Sequence, residues 1–199
     1  MPSTKVIVVG ATGTIGQAVV AALEGRHEVI PVSRSKAAHK ADMSDAESLR
    51  RVFRAIGRVD AIVSAAGAAR FAPLDKLTDE DYAFCLANKL MGQVNLARIG
   101  MGYLNDGGSI TLTTGVLARK PIPGSAAISL VNCGVEGFMR AAALEATRGI
   151  RVNVVSPPWV TETLVALKMD TAAGKPAAEV AKAYVKSVEG KLSGEVIEP

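Results

Sequence analysis

Aromatic side chains are scarce in this chain. Phe, Tyr and Trp make up 4% of its 199 residues, and Trp159 is the single tryptophan. The core must therefore be built from Ala, Val, Ile and Leu, which suits a parallel sheet buried under helices. Cysteine is scarcer still. Cys85 and Cys133 each sit in an apolar helical stretch, so both are expected as buried small hydrophobes, with no disulfide framework. The two histidines suggest no chemistry: His39 stands alone, and His27, just before a strand, is expected at the surface. No metal site is expected. No apolar run approaches the length of a membrane span, and the opening residues lack a signal-peptide pattern. A cytoplasmic setting without a membrane partner is the expectation. The net charge is only +4, and the basic residues form nothing longer than pairs such as Arg50-Arg51 and Arg119-Lys120. A nucleic-acid partner is not expected from so scattered a surface.

What is abundant is apolar and organised. Hydrophobic residues are 49% of the chain, and strand-like and helix-like stretches alternate without a break in composition, so residues 1–199 read as one α/β domain. The organising stretch is KVIVVGATGTIG, residues 5–16. Residues 5–9 are a short β-branched run, read as a buried parallel strand. Gly10, Gly13 and Gly16 follow, with Ala11, Thr12 and Thr14 between them, and a helix-like segment begins at Ile15. Strand, glycine turn and helix form the first half of a dinucleotide-binding unit. Gly10 permits the tight turn, the missing β-carbons admit a pyrophosphate, and the amides at the helix start face that anion.

The second strand, residues 28–32, runs into Ser33-Arg34. In a dinucleotide fold this position faces the adenine ribose, where an acidic residue selects NAD. A hydroxyl and a guanidinium suit a 2′-phosphate instead, which points to NADP(H). Too few residues separate Arg34 from Asp42 for a full crossover helix. The second α-unit is thus reduced to a loop, with a brief third strand around residues 39–41. Ser44 is expected to cap a helix over residues 45–56. A fourth strand, 59–64, ends in Ala65-Ala66-Gly67, small residues past which a cofactor can run. Thr78 caps a long helix interrupted by Asn88 and Asn95. Residues 105–108 read as a turn before a fifth strand, 109–113, which delivers Thr114 and Gly115 to its carboxyl end. A helix over 126–147, a sixth strand over 150–155, a loop over 160–176 with a weak helical piece, a last helix over 177–187 and a short strand over 194–197 complete the chain. The result is a doubly wound Rossmann-type parallel sheet flanked by helices.

These motifs together resemble the short-chain dehydrogenase/reductase family over nearly the whole chain. The resemblance implies that Asp42 contacts the adenine, with Met43 beside it. Ala65-Ala66-Gly67 is similar to the family's Asn-Ala-Gly, with the Asn replaced. Asn88 matches the helix asparagine of the catalytic tetrad. RVNVVSP, residues 151–157, matches the run into the nicotinamide loop and ends on Pro157. Pro158 replaces a usual glycine there, and Val160 opens a stretch similar to the carboxamide-binding segment. The family assembles through its two long helices, so a homodimer or homotetramer through residues 78–103 and 126–147 is implied. The loop over 163–176 would form the substrate wall.

The family's reaction uses a Tyr as acid/base, a Lys four residues on, and a Ser thirteen residues before the Tyr. Aligning Val135-Glu136-Gly137 with the family helix puts Asn132 at the Lys position, Ile128 at the Tyr position and Gly115 at the Ser position. Tyr82, Tyr103 and Tyr184 all lie elsewhere. A one-residue slip offers Thr114 and Ser129 as hydroxyls, which with Asn88 form the candidate catalytic set. Asn132 retains the capacity to bond a cofactor ribose. Lys89 is expected to be solvated, and Trp159 either covers the nicotinamide or fills core. The resemblance implies an NADP(H)-dependent oxidoreductase acting on a small carbonyl or alcohol. A binding protein or partner subunit without the chemistry, and a lyase or isomerase in the same pocket, are the other readings.

Overall fold

Short β-branched runs and helices alternate along the chain, and the strands line up side by side in one direction. The computed structural model describes residues 4–199. Its sheet has seven strands in the order β3-β2-β1-β4-β5-β6-β7, every neighbouring pair parallel. They are β1 (Thr4–Val9), β2 (His27–Ser33), β3 (His39–Lys40), β4 (Val59–Ser64), β5 (Leu104–Thr113), β6 (Arg151–Val155) and β7 (Val196–Ile197). Side chains alternate across the sheet. Ile7, Val9, Ile62, Ile110 and Leu112 enter one apolar layer with α2 (Ala46–Ile56), α4 (Gly92–Gly100) and α5 (Ala126–Glu145). Val6, Val8, Ala61 and Val63 enter the other with α1 (Thr14–Leu23) and α7 (Ala177–Glu189). The doubly wound parallel architecture read from the sequence is thus present, with aliphatic layers doing the work of the missing aromatics.

The second crossover is reduced to a loop, as expected. Residues 34–38 join β2 to β3 as a loop, and Ser33 Oγ closes it by accepting the amides of Lys36 and Ala37 at 2.9 and 2.7 Å. Other local expectations are corrected. Asp45, not Ser44, caps α2, accepting from the Glu47 amide, while the Ser44 amide and hydroxyl donate to Asp42 Oδ1. The supposed turn at 105–108 belongs to β5, because Asn105 Nδ2 donates to Asp60 Oδ1 and Gly108 lies too close to the Asp60 carbonyl to carry a side chain. Cys133 is exposed, with its Sγ at 3.2 Å from the Ala118 carbonyl, whereas Cys85 is buried. The His27 ring is tucked against α7, where Nε2 meets Glu189 at 2.9 Å. In the loop after β6, residues Thr161–Ala166 form a full short helix, α6. One stretch does reach span length: α5 has 20 residues and a mean hydropathy of 1.2. It is a core helix of this fold, burying Val135 and Met139 in the first apolar layer and Val131 against Cys85.

The long helix begins as α3 (Asp79–Cys85), with Thr78 and Asp81 forming a reciprocal capping box. It does not remain an α-helix. Residues Leu86–Met91 wind as a π turn before α4 resumes, and the Gly92 amide bonds the Ala87 carbonyl five residues back. Asn88 lies in this turn.

Candidate functional site

β1 and β4 are neighbours, yet their crossovers leave in opposite directions along the sheet. A crevice opens at the carboxyl ends of the strands at such a point. The glycine turn closes it. Gly10 has φ +84°, and a β-carbon there would lie 2.7 Å from the Ala65 carbonyl oxygen. Gly16 is buried, and a β-carbon there would meet the Gly10 oxygen at 2.0 Å. Gly16 thus lets α1 approach the turn after β1, and Gly10 lets that turn approach the loop after β4. Gly13 is the N-cap of α1, offers no side-chain cap, and is followed by no acidic residue in the first turn. The amides there remain free donors for an anion. Gln17 Nε2 braces the turn by donating to the Thr12 carbonyl at 3.1 Å.

Two clefts meet on either side of Ala65, Ala66 and Gly67, which line both. The first holds about 260 Å³ between Gly10, Thr12, Gly13, Ser33, Arg34, Asp42, Met43 and Asn88. Hydrogen bonds from Ser44 hold the Asp42 carboxyl below the usual carboxylate range, and the Arg34 charge adds to this. Ser33 spends its acceptor capacity on the loop amides, leaving its O–H to donate outward. Arg34 is exposed and makes no ion pair among the described residues. Asn88 Nδ2 donates to the Phe84 carbonyl at 3.2 Å.

The second cleft, of about 250 Å³, is walled by Ile15, Lys89, Thr113, Thr114, Gly115, Ile128, Asn132, Pro157, Trp159 and Val160. Thr114 is 3% exposed, and its Oγ1 donates to the Asn132 carbonyl at 3.1 Å with Glu136 Oε1 at 3.3 Å. Asn132 is 2% exposed, and its Oδ1 has no hydrogen-bond partner among the described residues. Trp159 stands at the wall and meets Phe71 edge-on, ring centroids 6.2 Å apart. The structure thus brings Asn88 and Thr114 to the clefts but not Ser129. That hydroxyl turns to Ser125 Oγ at 3.1 Å, because the helix register gives the pocket to Ile128 and Asn132, one turn apart. Thr14 is exposed at the start of α1 outside both linings, and Gly16 serves by packing alone. None of the tyrosines lines either cleft: Tyr103 stacks on Phe53, and Tyr184 is buried against Thr113 Oγ1, its phenol pushed up by burial.

Lys89 is the residue the sequence reading misplaced. It is only partly exposed: it enters the second cleft, donates Nζ–H to the Thr114 carbonyl at 3.3 Å, and is pushed down to about 8 by burial. A signal was available. Cys85, Lys89 and Gln93 recur every fourth residue, and both flanking members are fully buried.

Comparison with known proteins extends this geometry. Residues 10–189 match the family model described as Enoyl-(Acyl carrier protein) reductase. Carbonyl reductase family member 4 of Danio rerio is 30% identical over 98% of this chain and 95% of its own length. Hydroxynaphthalene reductase arp2 of Aspergillus fumigatus is 30% identical over 73% of this chain, which spans 55% of that protein's length. Among solved structures, lin1944 of Listeria innocua superposes with a TM-score of 0.95 at 41% identity, covering 98% of this chain and 99% of that one. A small-chain dehydrogenase in complex with NADPH superposes with a TM-score of 0.89 at 28% identity, covering 99% and 96%. With that match running through both the glycine turn and the second cleft, the chain belongs to the short-chain dehydrogenase/reductase family.

Proposed function

We propose that this protein is an NADP(H)-dependent oxidoreductase that interconverts a small carbonyl compound and its alcohol in a site without the family's tyrosine and lysine. The observation that carries the reading is the continuity of the two clefts across the uncapped start of α1. That shape fits an extended dinucleotide. Gly10 and Gly16 leave room for a pyrophosphate where β-carbons would fill the turn. Ser33, Arg34, Asp42 and Met43 would hold the adenosine half, and the unpaired Asn132 Oδ1 awaits a donor in the other half. NADP(H), when bound, supplies or accepts the hydride. The protein's own part is to shape the apolar wall at Ile128, Trp159 and Val160, to orient the carbonyl, and to exclude water. Incubating the protein with NADPH and a panel of small ketones and quinones tests the reading through cofactor consumption.

A second reading, a cofactor-binding sensor or partner subunit without turnover, is favoured by Ile128, which cannot move a proton, at the pocket wall. Tight NADPH binding with no consumption across the panel selects it.

Preference for NADP(H) over NAD(H) rests on the exposed, unpaired Arg34. Arg34→Ala is expected to weaken NADP(H) about 10- to 100-fold, the weight of a charge-assisted hydrogen bond. NAD(H) should change less than about threefold. Equal losses in fluorescence titrations with the two cofactors sink the preference. Self-association is the other expectation. Leu86, Met91, Leu130 and Leu144 lie on the two long helices, and each is at least 38% exposed. Light scattering should give a dimer or tetramer, and Leu130→Glu with Leu144→Glu should shift it to monomer. A monomeric wild type refutes the assembly.

A further inference from the structure

The π turn positions a group that the site otherwise lacks. It carries one more residue than an α turn, and two consecutive side chains reach the clefts from it, Asn88 into the first and Lys89 into the second. The turn is clamped in place. Gln93, fully buried, donates Nε2–H to the Thr113 carbonyl at 2.6 Å and accepts the Thr113 amide at 2.6 Å, while Nε2 also reaches the Lys89 carbonyl at 3.3 Å. The π turn is thereby fixed to the carboxyl end of β5. The Lys89 stem then crosses Gly67, where a β-carbon would lie 2.9 Å from Lys89 Cδ. Gly67 has φ +133° and no side chain, so the lysine passes over the loop after β4 and into the second cleft.

Lys89 is the one titratable side chain among the residues lining that cleft. Its ammonium has three N–H bonds, and one is committed, to the Thr114 carbonyl. No carboxylate pairs with it among the described residues. Asp42 is held by Ser44, Asp81 by Arg70, and Glu136 by Arg119 and Arg140, while Arg98 turns to Asn95. Two N–H bonds are left over in a cleft that Ile128, Val160 and Trp159 also line.

We propose that Lys89 is the proton donor of this site, giving an ammonium proton to the substrate's carbonyl oxygen in reduction and recovering one as a neutral amine in oxidation. The inference rests on the oxidoreductase reading above. In reduction the hydride that NADPH would supply goes to the carbonyl carbon, the C=O π pair moves to oxygen, and a Lys89 N–H bond breaks as an O–H bond forms. The substrate is reduced to alcohol, NADPH would be left oxidised, and the amine takes a proton from solvent. Burial pushes the Lys89 ammonium to about 8, so it gives up a proton near neutral pH far more readily than an ordinary lysine.

The test compares wild type with Lys89→Met and Lys89→Arg by NADPH affinity, by steady-state reduction of a ketone the wild type accepts, and by NMR titration of protein labelled at lysine Cε. One lysine signal should titrate near 8 and vanish in Lys89→Met. Lys89→Met should bind NADPH within about threefold of wild type and reduce the ketone roughly 10²- to 10⁴-fold more slowly, the range of general acid catalysis. Wild-type kcat for reduction should be level below the Lys89 midpoint and fall tenfold per pH unit above it. Lys89→Arg should not restore the rate, since a guanidinium does not release its proton. A rate retained in Lys89→Met, a rate restored by Lys89→Arg, or a loss fully explained by weaker NADPH binding each overturns the proposal while leaving the reductase reading intact. A wild type that binds NADPH and reduces no carbonyl overturns both.

Discussion

Replacing Gly16 with alanine is expected to cost about 3–4 kcal/mol of stability and to abolish tight cofactor binding. The added β-carbon would lie 2.0 Å from the Gly10 oxygen, 2.7 Å from the Gly10 carbonyl carbon and 2.9 Å from Ala11 Cα. All three are backbone atoms, so no side-chain rotation relieves the clash, and overpacking of this kind is at the costly end of its range. Nor is the Gly10 backbone free to yield. Its amide bonds the Val32 carbonyl, its carbonyl accepts the Gly13 amide, and its own φ is +84°. Helix α1 would have to retreat, taking its uncapped amides away from the crevice they face. Thermal unfolding should show a midpoint lowered by about 10 °C for a chain of this size. Gly13→Ala is the matched control. Its β-carbon meets nothing closer than 3.4 Å, and its φ of −84° suits any residue, so its stability should change by less than about 1 kcal/mol. Similar melting curves for the two variants would show that the α1–β1 approach is looser than described.

Removing Arg119 is the second large perturbation. Glu136 sits in the apolar helix α5 with a side chain only 5% exposed. Its carboxylate depends on Arg119 Nη1 at 2.8 Å, Arg140 Nη2 at 3.3 Å and Thr114 Oγ1 at 3.3 Å. Arg119 also donates to Ser156 Oγ and Glu198 Oε1, both at 2.8 Å, tying the loop after β5 to the end of β6 and to the C-terminal residues. Breaking a buried pair from one side leaves a desolvated charge and usually costs 3–5 kcal/mol. Arg140 remains as a longer partner, so Arg119→Met should cost about 3 kcal/mol by denaturant unfolding. Glu136→Gln in the Arg119→Met background should recover part of that loss, with a coupling of at least about 1 kcal/mol in a double-mutant cycle. Strict additivity would mean that the two side chains do not share a stabilising interaction.

The fold was legible because periodicity and glycine placement are local signals. The run at residues 5–9, the Gly10 turn and the shortened crossover all appear where the sequence puts them. Local capping was less legible. Asp42, Ser44 and Asp45 are interchangeable as caps on paper, and only the folded loop decides that Ser44 serves Asp42 while Asp45 takes the helix. The candidate site was legible to the extent that it follows strand ends, as Thr114, Pro157 and Ala65 do. Ser129 and Lys89 required the helix phases. Counting from Val135-Glu136-Gly137 assigns Ile128 and Asn132 to the wall, which the helix register obeys, and the slip that favoured Ser129 does not survive. For Lys89 the obstacle was different. A lysine on an apolar helix reads as a snorkelling surface residue, and only the π turn together with the side-chain-free Gly67 makes a route inward.

The two ends of the sheet carry a consequence of another kind. β3 and β7 are each two residues long, flanking five strands of five to ten residues whose buried stretches are rich in Val and Ile. A long bare margin on such a sheet would present a row of unmatched amides and carbonyls, a template onto which another chain can zip. Here the outermost strands are only two residues long, and Lys40 carries a charge at one margin. A sequence this rich in Val and Ile thereby keeps β1, β4 and β5 in the middle of the sheet, each between two strands of five residues or more.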